Sequence, residues 1–107
     1  MDAYAKVRRM WVLSDIRAEL ESQDAKWGVQ NYPNGTGLPG DKKLADRARA
    51  ICDKADSNEL LTFRHILTEE FFEAVAESDP GKLYAELIQV AAVAAQWAEK
   101  LKREHGS

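Results

Sequence analysis

TFRHILTEEFFEAVAESDPGKLYAELIQVAAVAAQWAEKLKRE, residues 62–104, is the stretch whose reading decides the fold. Asp79 followed by Pro80, with Ser78 and Gly81 around them, reads as the end of one helix and the start of the next. At 3.6 residues per turn, Phe63, Ile66, Leu67, Phe71, Ala74 and Val75 of the first helix form one apolar arc. Glu70 and Glu77 point into that arc and Glu73 sits on its edge. In the second helix Glu86 projects from a segment, Leu87 to Ala98, that is apolar nearly all round. Carboxylates aimed at an apolar face need a partner, because an unpaired buried charge costs several kcal/mol even after relaxation. Within these two helices the cations Arg64, Lys82, Lys100, Lys102 and Arg103 lie at or near the ends. The middle of the arrangement lacks a cation, and a divalent metal is the natural candidate.

Working outward, Thr62 is placed to cap the first of these helices, which runs to about Glu77, and Gly106 ends the second. Upstream, Asp41 to about Lys54 reads as another helix, with Leu44, Ala48, Ile51, Cys52 and Ala55 on its apolar face and Asp41 as its cap. Asp46, Arg49 and Asp53 are assigned to its outer side, and Asp56-Ser57-Asn58 closes it as a turn. Residues from about Ala3 to Gln23 form the first helix, free of Gly and Pro. Its two apolar stripes, Val7-Trp11-Ala18 and Val12-Ile16-Leu20 with Leu13, suit one contact within the domain and one with a second subunit. Between these two helices, Gly28 to Gly40 holds Gly35 and Gly37, Pro33 and Pro39, and Asn31 and Asn34, which makes it a long loop with forced turns. No strand-like alternation interrupts the pattern. The expected fold is all-α, four helices with a long Gly/Pro-rich loop between helices 1 and 2.

The whole chain, 107 residues with 45% hydrophobic and 31% charged side chains, is sized and composed as a single ordered domain. A net charge of −3 gives no reason to expect a nucleic-acid polymer or an anionic membrane as partner. One cysteine cannot form an internal disulfide, and Lys6, Arg8 and Arg9 interrupt the only candidate signal core. The longest apolar run, Val90 to Ala95, is too short to span a bilayer. These features lead to the expectation of a cytoplasmic protein. Cys52, on the apolar face of its helix, reads as a small core residue rather than a nucleophile. His65 has no second histidine or cysteine at ligand spacing, so zinc is not indicated.

Residues three apart on a helix share a face, so Glu70-x-x-Glu73 presents two carboxylates side by side. Glu86-x-x-Gln89 presents a carboxylate and an amide. An antiparallel hairpin turning at Asp79-Pro80 can bring both pairs to one level. The resulting all-oxygen donor set suits Mg²⁺ or Mn²⁺, which bridge phosphate oxygens and activate water. Glu-x-x-Glu also occurs on solvated or salt-bridged helices. What sets this case apart is two acid-bearing motifs on consecutive helices, both aimed at the apolar arc. In the loop, Trp27 and Tyr32 offer π faces and Lys26, Lys42 and Lys43 offer positive charge. That mixture either holds a base and phosphates or pins the loop to the core.

Glu69-Glu70-Phe71-Phe72-Glu73, a spacer, then Glu86-Leu87-Ile88-Gln89 resembles the EExxE…ExxD signature of MazG-like all-α nucleoside triphosphate pyrophosphohydrolases. Gln23 to Gly28 with Asn31 and the glycine-rich loop, and Leu87 to Trp97, are similar to small bacterial and phage proteins of that superfamily. The resemblance runs from about Arg17 to Leu101. It implies a helical core that dimerises, binds Mg²⁺ (or Mn²⁺), and splits a nucleoside triphosphate into the monophosphate and pyrophosphate. By the same resemblance Glu70, Glu73 and Glu86 are metal ligands, and Glu69 is a ligand or positions the attacking water. Gln89 stands where the family has Asp. An amide oxygen can coordinate Mg²⁺ but removes one negative charge and takes up no proton. Glu77, one turn past Glu73, could restore that charge.

Charge and position, rather than any motif, select Lys26, Lys42, Lys43 and Arg47 for phosphate contacts and Trp27 for base stacking. Phe72, opposite the core arc, and the two stripes of the first helix point to a homodimer or homotetramer. Two other readings stand beside the enzyme. One is a non-catalytic helical module that binds a nucleotide or a protein partner through a degraded metal site. The other is a helical assembly domain with no ligand.

Overall fold

A computed structural model describes residues 2–105. Among these the chain is all-helical, with no strand: α1 (Ala3–Trp27), α2 (Asp41–Ser57), α3 (Phe63–Ala76) and α4 (Pro80–His105). Gly106, expected to end α4, lies outside the described residues. No helix is long and apolar enough to cross a membrane among the described residues. The chain divides into two compact units, Met1–Pro33 with Ala95–Ser107, and Asn34–Ala94.

In the first unit α1 starts where the Asp2 carboxylate accepts the Ala5 N–H at 2.7 Å. It continues four residues past Gln23, the expected end, because Asp24, Ala25, Lys26 and Trp27 contain no breaker. It stops only at Gly28, whose positive φ lets its N–H close on the Asp24 carbonyl at 2.8 Å. Arg9 of α1 grips Glu99 of α4 with two parallel hydrogen bonds, Nε to Oε2 at 2.7 Å and Nη2 to Oε1 at 3.0 Å. This pair raises the pKa of Arg9 and holds that of Glu99 below the usual carboxylate range. Val12 is buried, while Trp11, Leu13, Ile16 and Leu20 remain exposed.

The second unit holds α2, α3 and the first part of α4. α2 and α3 pack together, and their buried positions are small: Ala45, Ala48 and Cys52 on α2, Ala74 on α3. Two sequence expectations are corrected here. The buried stripe of α2 is Ala45-Ala48-Cys52, with Leu44 and Ile51 about half exposed, so the helix is rotated from the face its largest apolar residues suggested. On α3 the exposed aromatic is Phe71, at 54%, whereas Phe72 is half-buried and lines a groove with Leu44, Ala48 and Ile51.

The caps show why these helices begin and end where they do. Thr62 and His65 form a reciprocal box: Thr62 Oγ1 accepts the His65 N–H at 3.3 Å, and His65 Nδ1 accepts the Thr62 N–H at 3.1 Å. Asp41, expected to cap α2, is instead its first residue. Its carboxylate reaches back to accept the Leu38 N–H at 2.8 Å, and Gly40 takes the cap position with φ 91°. α2 runs three residues beyond Lys54 and ends in a two-bond wrap. Leu60 N–H donates to the Ala55 carbonyl at 2.8 Å and Glu59 N–H to that of Asp56 at 3.0 Å, with Glu59 held at φ 59°. Pro80 opens α4, and the Asp79 carboxylate accepts the Lys82 N–H at 2.9 Å. Gly37, at φ 70°, donates its N–H to the Val75 carbonyl at 2.8 Å, and a β-carbon there would strike the Ser78 side chain.

Candidate metal centre

α3 supplies Glu70 and Glu73 from one face, and the second turn of α4 supplies Glu86. One oxygen from each lies within 4.8 Å of the others. All three side chains are half-buried. Glu70 Oε2 and Glu86 Oε2 are buried with no hydrogen-bond partner, an expensive condition for an acceptor-only carboxylate. Burial pushes the Glu70 pKa upward, and the neighbouring charges of Glu73, Glu86 and Glu69 add to it against the opposing effect of Arg49.

A cation does approach, from α2 rather than from α3 or α4. Arg49 of α2 sets Nη2 2.7 Å from Glu73 Oε1 and Nε 3.8 Å from Glu69 Oε1. Arg49 is exposed, as expected of the outer side of α2, and its long side chain also reaches across to α3. The signal was present: Arg49 falls four residues after Ala45 and three before Cys52, beside the small-residue stripe that meets α3. Arg49 serves Glu73 and Glu69 and leaves the two orphaned oxygens as they are. A cavity of about 310 Å³ is lined by two members of the cluster, Glu73 and Glu86, together with Lys42, Asp46, Arg49 and Glu77.

The remaining sequence candidates take separate places. Glu69 is half-buried, held between Arg49 and the Cys52 thiol. That thiol is pushed up to about 12 by burial and then by Glu69, which suits a core residue and not a nucleophile. Gln89 is exposed on α4, one turn after Glu86. Glu77 lines the cavity, although its Oε1 accepts the Asp79 N–H at 3.0 Å. Lys42 stands on the cavity rim with Nζ 3.6 Å from Asp46, and Lys43 is exposed. Arg47 lines a different groove, of about 670 Å³, with Arg64, His65, Leu44, Ile51 and Phe72. Lys26 and Trp27 belong to the first unit, where the Lys26 ammonium sits 4.8 Å from the Trp27 ring centre.

Does this donor set fit a hard divalent ion? The donors are carboxylate oxygens, one from each of three residues gathered within 4.8 Å, and Glu70 and Glu86 each carry a buried oxygen without a partner, the hard, negatively charged donor chemistry that such an ion takes. They fit. Comparison with protein-family models, curated proteins and solved structures finds no match to this chain.

Proposed function

We propose that this protein is a Mg²⁺- or Mn²⁺-dependent nucleoside triphosphate pyrophosphohydrolase of the MazG-like type, working as a homo-oligomer. The observation that carries the reading is the pair of buried, unpartnered oxygens, Glu70 Oε2 and Glu86 Oε2, in a cluster with Glu73. A carboxylate cluster made only to support the fold gains nothing from orphaned acceptors. Glu70, Glu73 and Glu86 would hold the ion, with Gln89 able to add a neutral oxygen. Bound there, a divalent ion supplies charge stabilisation on phosphate oxygens and lowers the pKa of a water. Glu69, beside the cluster, orients the attacking water, and Lys42 on the cavity rim neutralises phosphate charge. The many exposed apolar residues, Trp11, Phe71, Leu87 and Ile88 among them, favour assembly with further copies of the chain.

Thermal stability with and without millimolar Mg²⁺ or Mn²⁺, across a nucleotide panel with pyrophosphate release read in the same wells, tests this. Metal-dependent stabilisation together with release is the expected result. Absence of both refutes the proposal. Stabilisation without release supports the second reading, a nucleotide-binding module weakened at Gln89. Under the enzyme reading Gln89→Asp raises metal affinity and turnover; under the binding-module reading it leaves turnover absent.

A further inference from the structure

Arg49 sits where an incoming metal would have to compete. Its guanidinium hydrogen-bonds Glu73, one of the three carboxylates of the cluster, at 2.7 Å and approaches Glu69 at 3.8 Å. It comes from the solvent side: its side chain is 59% exposed, against 17% for Glu73 and 20% for Glu69. It also lines the same small cavity as Lys42, where these two are the only cationic side chains. A guanidinium does not shed its proton near neutral pH, so it cannot leave the competition by becoming neutral. It can only move, and its long exposed stem permits that. What it moves toward follows from its shape. The planar fork of N–H donors that matches a carboxylate matches a phosphate equally well.

We propose, resting on the metal reading above, that Arg49 is the resident counter-ion of the site. A divalent ion taking Glu73 displaces it, and the freed guanidinium becomes a phosphate-binding group of the cavity. Binding is then ordered, cation first and anion second. Nothing in this exchange makes or breaks a covalent bond; one cation replaces another on Glu73. Lys42, already held by Asp46 at 3.6 Å, adds a second positive charge on the same rim.

The test uses the full chain, as wild type, Arg49→Gln and Arg49→Lys. Mn²⁺ alone is titrated by calorimetry, and then inorganic pyrophosphate into Mn²⁺-saturated protein. Arg49→Gln is expected to bind Mn²⁺ about fivefold more tightly, since its competitor for Glu73 is gone. The same variant is expected to bind pyrophosphate about tenfold more weakly. Arg49→Lys keeps the charge and loses the fork, so its Mn²⁺ affinity stays near wild type while pyrophosphate binding falls. Should Arg49→Gln fail to fold, the lysine variant carries the test through its pyrophosphate affinity. Mn²⁺ binding unchanged or weakened in Arg49→Gln, or pyrophosphate binding unchanged in both variants, overturns the proposal while leaving the metal site standing. No Mn²⁺ binding by any of the three folded proteins removes the metal site, and this proposal with it.

Discussion

Replacing Glu70 with Gln separates a ligand site from a folding element, because the two roles give opposite signs. Glu70 carries a buried oxygen without a partner, and its cluster neighbours are carboxylates with oxygens within 4.8 Å. At that separation and an effective dielectric near 20, one pair of like charges repels by about 3.5 kcal/mol. Water at the cavity mouth and the charge of Arg49 reduce this, leaving a net relief of about 1–2 kcal/mol when Glu70 becomes neutral. The amide also gains donors that Glu73 and Glu86 can accept. Without metal, Glu70→Gln should therefore melt about 4–15 °C above wild type. On the proposed metal reading, Mg²⁺ a hundredfold over its dissociation constant would add about 2.7 kcal/mol to wild type and far less to the variant, which is short of a ligand. The order of stabilities should invert with metal. Differential scanning fluorimetry with EDTA and with Mg²⁺ reads both arms. A variant less stable than wild type in EDTA, or equal Mg²⁺ shifts in the two proteins, would refute the reasoning.

Three other perturbations test the frame around the site. Gly37→Ala places a β-carbon against Ser78 at φ 70° and should cost about 2 kcal/mol in a urea melt; an unchanged midpoint refutes the close approach of Gly37 to Ser78. Glu59→Gly relieves a φ of 59° at the end of α2 and should stabilise by about 0.5–1 kcal/mol in the same assay. The Arg9 hydrogen bonds depress the Glu99 pKa, so the folded state binds fewer protons there than the unfolded chain. That stability is complete above the ordinary carboxylate value and is lost as pH falls through the depressed one. Urea midpoints measured between pH 6 and pH 3 should therefore fall less steeply for Glu99→Gln than for wild type.

The four helices were legible because their signals are local: Thr62 at one start, Asp79-Pro80 at another, and no breaker inside α1. Their precise extents were less so. α1 outran Gln23 because residues 24–27 are merely neutral toward helix, and only Gly28 forces the stop. The rotation of α2 departs from its largest apolar residues for a different reason. Large apolar residues usually mark the core face, but two closely packed helices bury the small ones, and here Leu44 and Ile51 gave way to Ala45, Ala48 and Cys52. That rotation also hid Arg49. Spacing paired Glu70 with Glu73 and Glu86 with Gln89, and an antiparallel hairpin at Asp79-Pro80 could bring the pairs together; Glu70, Glu73 and Glu86 do meet, while Gln89 is exposed. The orphaned oxygens are a property of packing, which no spacing rule contains.

The acidic cluster is local in the chain: its members lie between Glu70 and Glu86, joined by a single tight turn at Asp79-Pro80. Contacts of short sequence separation cost little loop-closure entropy, and chains rich in them fold fast. We therefore expect mutual repulsion among these carboxylates to act at the rate-limiting barrier as well as in the finished protein. Neutralising Glu70 should accelerate refolding and leave the unfolding limb of the chevron nearly unchanged. On this reasoning the three side chains bear on how fast the hairpin closes, and a divalent ion held by them would lower that barrier while also stabilising the folded product.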